Sequence, residues 1–136
     1  MEDYIVVTME REPVIYRGFR NTRGGAQVDR SDGKKLRARE DLINHSPTGF
    51  EWGYGGSGPS QLALAMLADT LYDRMPNKAE ADRMTMKVYQ DFKRHIIAGL
   101  PSNTWQLEQN AVFNWFLEHI KKFFPQIHAI VAKRGV

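Results

Sequence analysis

The chain has 136 residues, of which 42% are hydrophobic and 26% are charged, and its net charge is +3. These proportions fit a single globular domain over residues 1–136 and argue against disorder. The absence of cysteine excludes disulfides, thiolate zinc sites and a cysteine nucleophile. Because the sequence contains neither a signal-peptide pattern nor a long apolar run, we expect a cytoplasmic protein without membrane contact.

The N-terminal half predicts β-strands. Residues 4–9 and 13–20 are rich in β-branched and aromatic side chains. Two shorter strand candidates, Ala26–Arg30 and Lys35–Ala38, flank the turn sequence Ser31-Asp32-Gly33. The simplest arrangement of these segments is a small antiparallel sheet.

The first predicted helix covers Ser60–Tyr72 and is apolar on nearly every side. A helix of that kind is buried, so we expect it at the centre of the fold. Pro59 suits the first helical position, with Ser57 or Gly58 as the N-cap.

Three further helical segments follow. Asn77 is a predicted N-cap with Glu80 in the third position, and Gly99 is a stop signal. A third helix is predicted from about Glu108 to Phe123, and a short final helix runs from Pro125 to Lys133. The sequence therefore predicts an α+β fold in which a small antiparallel sheet from the N-terminal half packs on three to four helices from the C-terminal half.

The stretch from Arg17 to Arg39, the basic window, holds eight basic and two acidic residues. Such a local excess of positive charge can attract phosphates or an acidic partner. We expect Arg17, Arg20 and Arg23 to form one continuous positive face with the side chains of Lys35–Arg39. The alternative is an ordinary solvated strand face.

The segment Phe50–Pro59, which we call the Gly/aromatic loop, contains a G-x-G-x-x-G pattern. It lacks the preceding strand and the later acidic residue of a dinucleotide fold, and no lysine follows as in a P-loop. We interpret it as an anion site, because free amides at a helix N-terminus attract negative charge and aromatic rings can stack on a base. The predicted ligand- or partner-binding residues are His45, Ser46, Trp52, Tyr54, Gly55, Gly56, Ser57, Gly58, Gln61, Arg17 and Arg20. The alternative is a structural turn whose aromatic side chains fill the core.

Neither a metal-ligand spacing of histidines nor a catalytic triad can be found, so we predict no catalytic residue, no metal, no cofactor and a non-enzymatic protein. His45 adjoins the loop and either contacts phosphate or makes a hydrogen bond that shapes the turn. His95 and His119 are expected at the surface. Trp115 is offset from the apolar face of its helix, and is either partly buried or an interface anchor.

The block H-S-P-x-G-F-x-W-G-Y-x-G-S-G-P-x-Q-L-A-L-A extends from His45 to Ala65. It resembles an uncharacterised domain-of-unknown-function family of small proteins from bacteria, archaea and phages, over roughly Val14 to Leu117. Further matching pieces are Tyr16-Arg17-Gly18, Tyr89–Arg94, Leu100-Pro101 and Trp105. The resemblance implies no activity and no catalytic residue.

Three functions stay open. The first is binding of an anionic small ligand, such as a nucleotide, by the Gly/aromatic loop. The second is a phage-encoded inhibitor that blocks a host defence complex by protein–protein contact. The third is nucleic-acid binding by the basic window, which the small net charge disfavours. The expected partner is thus an anionic small ligand or a host protein, and a homo-oligomer is compatible with the sequence.

Overall fold

A computed structural model describes residues 12–133, so the strand predicted over residues 4–9 lies outside the described residues. The protein is α+β, as predicted, with a three-stranded sheet and four α-helices in this part of the chain. In chain order the elements are β1 (Ile15–Arg20), β2 (Ala26–Arg30), α1 (Ser57–Arg74), α2 (Lys78–His95), a 3-10 turn (Ile97–Gly99), β3 (Trp105–Glu108), α3 (Gln109–Phe123) and α4 (Pro125–Lys133).

The sheet is antiparallel with the order β2-β1-β3. Its third strand comes from the C-terminal half, immediately before α3, and was not predicted. The predicted strand Lys35–Ala38 is wrong, because that segment has no regular secondary structure. Leu36 in this segment is nevertheless buried, so its apolar side chain packs in the core although the segment forms no β-strand.

One face of the sheet packs on the helices. Tyr16 and Gly18 of β1 point inward, whereas Arg17 and Phe19 point outward, as strand alternation requires. Gly18 lies under the indole of Trp105 from β3, and a Cβ at Gly18 would come within 2.2 Å of that ring. The glycine therefore allows the tryptophan to lie flat against the central strand.

Helix α1 is the centre of the core, as predicted. Of its side chains, all from Leu62 to Ala68 are fully buried. The helix packs against α2 and α3, and its Asp69 and Thr70 contact the Tyr16 hydroxyl of the sheet. The helix begins earlier than expected, with Gly56 as an extended N-cap that makes no side-chain capping bond. Pro59 therefore lies in the first turn, where its missing N–H costs no hydrogen bond.

The other helices begin close to the predicted residues. The Asn77 side chain caps α2 by accepting a hydrogen bond from the Glu80 amide at 2.9 Å. Helix α2 ends at His95, before the Gly99 stop signal, because a 3-10 turn intervenes. Within residues 12–133, no helix is both long and apolar enough to cross a membrane.

Candidate functional site

The Gly/aromatic loop is fixed at its start by Gly53. This residue adopts φ +87°, a conformation that favours glycine, and its amide donates to the Ile97 carbonyl at 3.1 Å. A Cβ at Gly53 would approach the Leu100 carbonyl oxygen to 3.2 Å. Gly53 is thus a structural requirement of the loop.

At two more glycines of the loop, neighbouring side chains leave no room for a Cβ, whereas at a third the space is open. A Cβ at Gly56 would meet the ring of Tyr54 at 2.9 Å, and one at Gly58 would meet Glu51 at 2.7 Å. Gly55 is different, because its φ is not in the left-handed region and nothing lies within 4 Å of its Cβ position. The fold itself does not explain the glycine at position 55.

Arg20 holds the loop against the sheet. Its guanidinium donates to both carboxylate oxygens of Glu51, at 3.0 and 3.1 Å, and to the Ser102 carbonyl at 2.9 Å. It also lies over the Trp52 ring, 4.6 Å from the centroid. The hydrogen bond to Glu51 raises the pKa of Arg20. Because these groups occupy Arg20, it is a structural clamp here rather than an open phosphate contact.

The two predicted stacking residues differ in exposure. Trp52 is 1% exposed and packs edge-on against Trp105, with its Nε1–H donating to Ser102 at 3.3 Å. Tyr54 is 51% exposed. Trp52 is therefore part of the core in this structure, and Tyr54 alone offers an open aromatic face.

Gln61 ties the preceding segment to α1. The fully buried side chain accepts hydrogen bonds from the amides of His45 and Ser46, and donates to the carbonyls of Ala38 and Ile43. All four of its hydrogen-bonding positions are used. The structure thus places Gln61 beside the predicted site but leaves it no capacity for a ligand.

His45 and Ser46 also serve the turn. The Nε2 atom of His45 lies 2.6 Å from the Tyr89 hydroxyl on α2. Ser46 is buried, and its hydroxyl pairs with that of Thr48 at 3.3 Å. These contacts match the hydrogen-bonded, turn-shaping role that the sequence left open for His45.

What remains open to solvent is the tip of the loop, Tyr54–Ser57. Among residues 12–133, none of these four successive backbone amides has a hydrogen-bond partner. They lead directly into the N-terminus of α1, whose dipole favours negative charge. Glu51 lies near the N-terminus of α1, but its carboxylate forms an ion pair with Arg20. The loop tip can therefore accept an anion without facing an unbalanced carboxylate.

The basic window does not form the expected continuous positive face. Arg20 and Arg30 belong to the inner face of the sheet, whereas Arg17 is on the outer face and pairs with Asp29. Arg39 is bound by Asp41 and Asp82. Strand alternation therefore places the arginines on opposite faces of the sheet, and nearby carboxylates pair with some of them. A count of charges along the sequence shows neither effect.

A buried polar cluster behind the sheet was not predicted. The Tyr16 hydroxyl lies 2.7 Å from Asp69 and 2.9 Å from Thr70, and Arg30 donates to Asp69 at 2.7 Å. Burial, and then the charge of Asp69, raises the pKa of Tyr16, while burial raises the pKa of Asp69 itself. These partners are 39 to 54 residues apart, so no sequence spacing marks them. Because Arg30 is only 4% exposed and its partners satisfy it, we assign the cluster to the core.

The expectation for His119 is wrong, since it is 7% exposed and its Nε2 lies 3.0 Å from Asp91. It stacks on Trp115, which is half-buried between α2 and α3 and also contacts His95 and Phe92. His95 is exposed, as expected. Trp115 thus covers a buried histidine, which gives it a packing role in the monomer.

A cavity of about 680 Å³ lies elsewhere, between α2 and α4, with Met84, Met86, Ile127 and Ile130 among its lining residues. None of the residues lining it belongs to the Gly/aromatic loop. Within residues 12–133, no group of three His, Asp or Glu side chains is arranged to hold a metal ion.

Comparison with known proteins supplies a family and no activity. Residues 16–118 match the family described as "Family of unknown function (DUF6166)". Neither a curated protein nor a solved structure matches the chain.

Proposed function

The chain belongs to the family of unknown function DUF6166, and we propose that it is a non-enzymatic binding protein that holds an anionic small ligand, such as a nucleotide, on the loop tip. The supporting observation is Gly55. Glycine is favoured where a left-handed φ is needed or where another group approaches the backbone closely. Gly55 has neither a left-handed φ nor a protein neighbour in its Cβ direction, so nothing in the fold blocks the approach of a bound group to the backbone here.

The chemistry of the tip suits an anion with an attached ring. Phosphate oxygens would accept hydrogen bonds from the open amides of Tyr54–Ser57 at the start of α1. A base would stack on the exposed ring of Tyr54. Trp52, Gln61 and Arg20 support the loop from behind in this proposal and do not touch the ligand.

The test compares two glycines at which an added Cβ would meet no neighbour. Gly55 and Gly99 are both exposed, have no left-handed φ and have nothing within 4 Å of a Cβ. Native mass spectrometry of freshly purified protein detects any retained nucleotide, and calorimetric titration with ATP, GTP and inorganic phosphate measures affinity. We expect Gly55→Ala to weaken binding about tenfold or more, because a methyl group blocks approach to the amides, and Gly99→Ala to bind like the wild type.

Both variants should melt like the wild type, since neither methyl group meets a neighbour. A Gly55→Ala protein that binds with full affinity would show that the loop tip is scaffold. Failure of all three probes to bind would contradict the proposed ligand class.

The exposure of Tyr54 favours one second candidate, protein–protein contact with a host complex. Tyrosine is enriched among the residues that contribute most to binding at protein interfaces. In a pull-down from host lysate, Tyr54→Ala should then lose the partner that the wild type retains. Loss of a specific partner together with no nucleotide binding would select this candidate over the first.

A further inference from the structure

The outer face of the sheet presents an aromatic side chain among polar ones. Phe19 lies on this face, 39% exposed, directly opposite Gln27 of β2. Arg17 lies on the same face, two residues before Phe19, between Asp29 of β2 and Gln106 of β3. An exposed phenylalanine at this position contributes little to the core, which lies on the other face.

Two adjoining cavities on this face form one continuous groove, which we call the track. The first, about 460 Å³, is lined by Phe19, Thr104 and Gln106, and the second, about 410 Å³, by Ser31, Lys34 and Lys35. Both cavities are also lined by Arg17 and Asp29. The track therefore leads from Phe19 on the central strand β1, beside Thr104 and Gln106, to a basic end beyond β2.

Positive charge on the track is available to a ligand. Arg17 pairs with Asp29 at 3.0 Å, but both side chains are about half exposed, at 45% and 48%. Exposed pairs of this kind contribute little to stability, and the Arg17 guanidinium stays partly open to solvent beside Asp29. The side chains of Lys34 and Lys35 make no hydrogen bond or ion pair within residues 12–133, and the nearby Asp32 carboxylate is bound by Arg30.

We propose that this outer sheet face binds single-stranded nucleic acid. One base stacks on Phe19, while phosphates contact Arg17, Lys34 and Lys35. Single-strand binders combine a basic groove along the backbone with aromatic rings under the bases. The side-chain amides of Gln27 and Gln106, which have no partner in the described part of the chain, are placed to bond the edges of an unstacked base. This site shares no residue with the loop tip, so it is independent of the function proposed above.

Fluorescence anisotropy with labelled oligo(dT) and oligo(rU) of about ten nucleotides measures the binding. We expect Phe19→Ala to weaken affinity roughly 5-fold to 100-fold, because the base can no longer stack. Tyr72→Ala is the matched control, because Tyr72 is 40% exposed on α1 and does not line the track. It should bind like the wild type, and a duplex of the same sequence should bind more weakly than the single strand.

A salt series tests the basic end. The double variant Lys34→Gln/Lys35→Gln should reduce the slope of log affinity against log salt by about 0.7 for each phosphate that the protein no longer neutralises. Lys121→Gln/Lys122→Gln on α3 should leave the slope unchanged.

Two results would overturn the proposal. One is the absence of oligonucleotide binding by the wild type at low salt. The other is equal affinity of Phe19→Ala and Tyr72→Ala in proteins that circular dichroism shows to be folded.

Discussion

At the scale of single residues, Gln61 carries more of the local structure than any exposed group near the loop. Its amide oxygen accepts from two backbone amides, at 2.6 and 3.1 Å, and its nitrogen donates to two carbonyls, at 2.7 and 3.1 Å. The side chain is fully buried. Removing it would leave several backbone groups without partners, which is costly inside a protein.

We therefore expect Gln61→Ala to lower the free energy of unfolding by about 2 kcal/mol or more, measured by urea denaturation. Gln61→Glu keeps the acceptor for the amides of His45 and Ser46 but not the two donated bonds, so it should also be destabilised. A Gln61→Ala protein as stable as the wild type would mean that water replaces these bonds.

Asp69 gives a prediction about pH. Burial raises the pKa of its carboxyl, so the folded protein binds this proton more tightly than the unfolded chain does. The contribution of Asp69 to stability is then largest below its unfolded pKa of about 3.9, and falls as pH rises through the folded value. The stability of the wild type minus that of Asp69→Asn should accordingly decrease in urea titrations as pH rises from below about 3.9 through the folded pKa of Asp69. A difference that grows with pH would reverse the assigned direction.

Sequence patterns predicted the position of the loop and missed the roles of several of its residues. Glycine and aromatic content identified Phe50–Pro59, because such composition is visible in one short stretch. The burial of Trp52 and the bonding of Gln61 depend on Ser102 and on residues 38–46, which are distant along the chain. Which side chains stay open to a ligand is set by tertiary contacts of this kind.

At the scale of elements, the packing of β3 against β1 requires the glycine at position 18. The Trp105 ring occupies the space where Gly18 would carry a Cβ. Gly18→Ala should displace the ring and lower the free energy of unfolding by about 1–3 kcal/mol. Chemical denaturation measures the loss, and near-ultraviolet circular dichroism reports the tryptophan. Gly99→Ala, with open space around it, is the control that should change neither signal.

Helix α1 is the element on which the rest of the fold packs. The side chain of Leu67, on this helix, is fully buried in the core. Leu67→Ala should lower the free energy of unfolding by about 2–5 kcal/mol, because burial is reduced and a cavity is left behind. Tyr72→Ala on the exposed side of the same helix should cost much less. Equal losses for the two variants in thermal and urea denaturation would contradict the central position of α1.

Helices were easier to predict than strands for a physical reason. Periodic apolar positions and caps such as Asn77 are local signals, and the structure has α2, α3 and α4 close to the predicted bounds. Strand β3 has only four residues, and its partner β1 lies about 90 residues earlier. The sequence signal for this strand was the alternation of apolar Trp105 and Leu107 with polar Gln106 and Glu108.

At the scale of the whole molecule, the sheet divides the surface into two kinds of face. Its inner face and the helices bury Tyr16, Trp52 and the guanidinium of Arg30. The loop tip and the outer sheet face, within residues 12–133, keep unpartnered amides, an exposed tyrosine and an exposed phenylalanine. Recognition of a ligand is thus expected at groups that the fold positions but does not use.

The most direct test of the central claim is a ¹⁵N–¹H NMR titration of the labelled protein with ATP, GTP and inorganic phosphate. If the loop tip holds an anion, the amide signals of Gly55, Gly56 and Ser57 shift saturably with at least one of these probes, because their N–H groups gain a hydrogen-bond acceptor. The signal of Gly99, which is also exposed but whose amide donates to the Ile96 carbonyl, stays in place. Binding that shifts other amides and leaves these three unmoved would contradict the account.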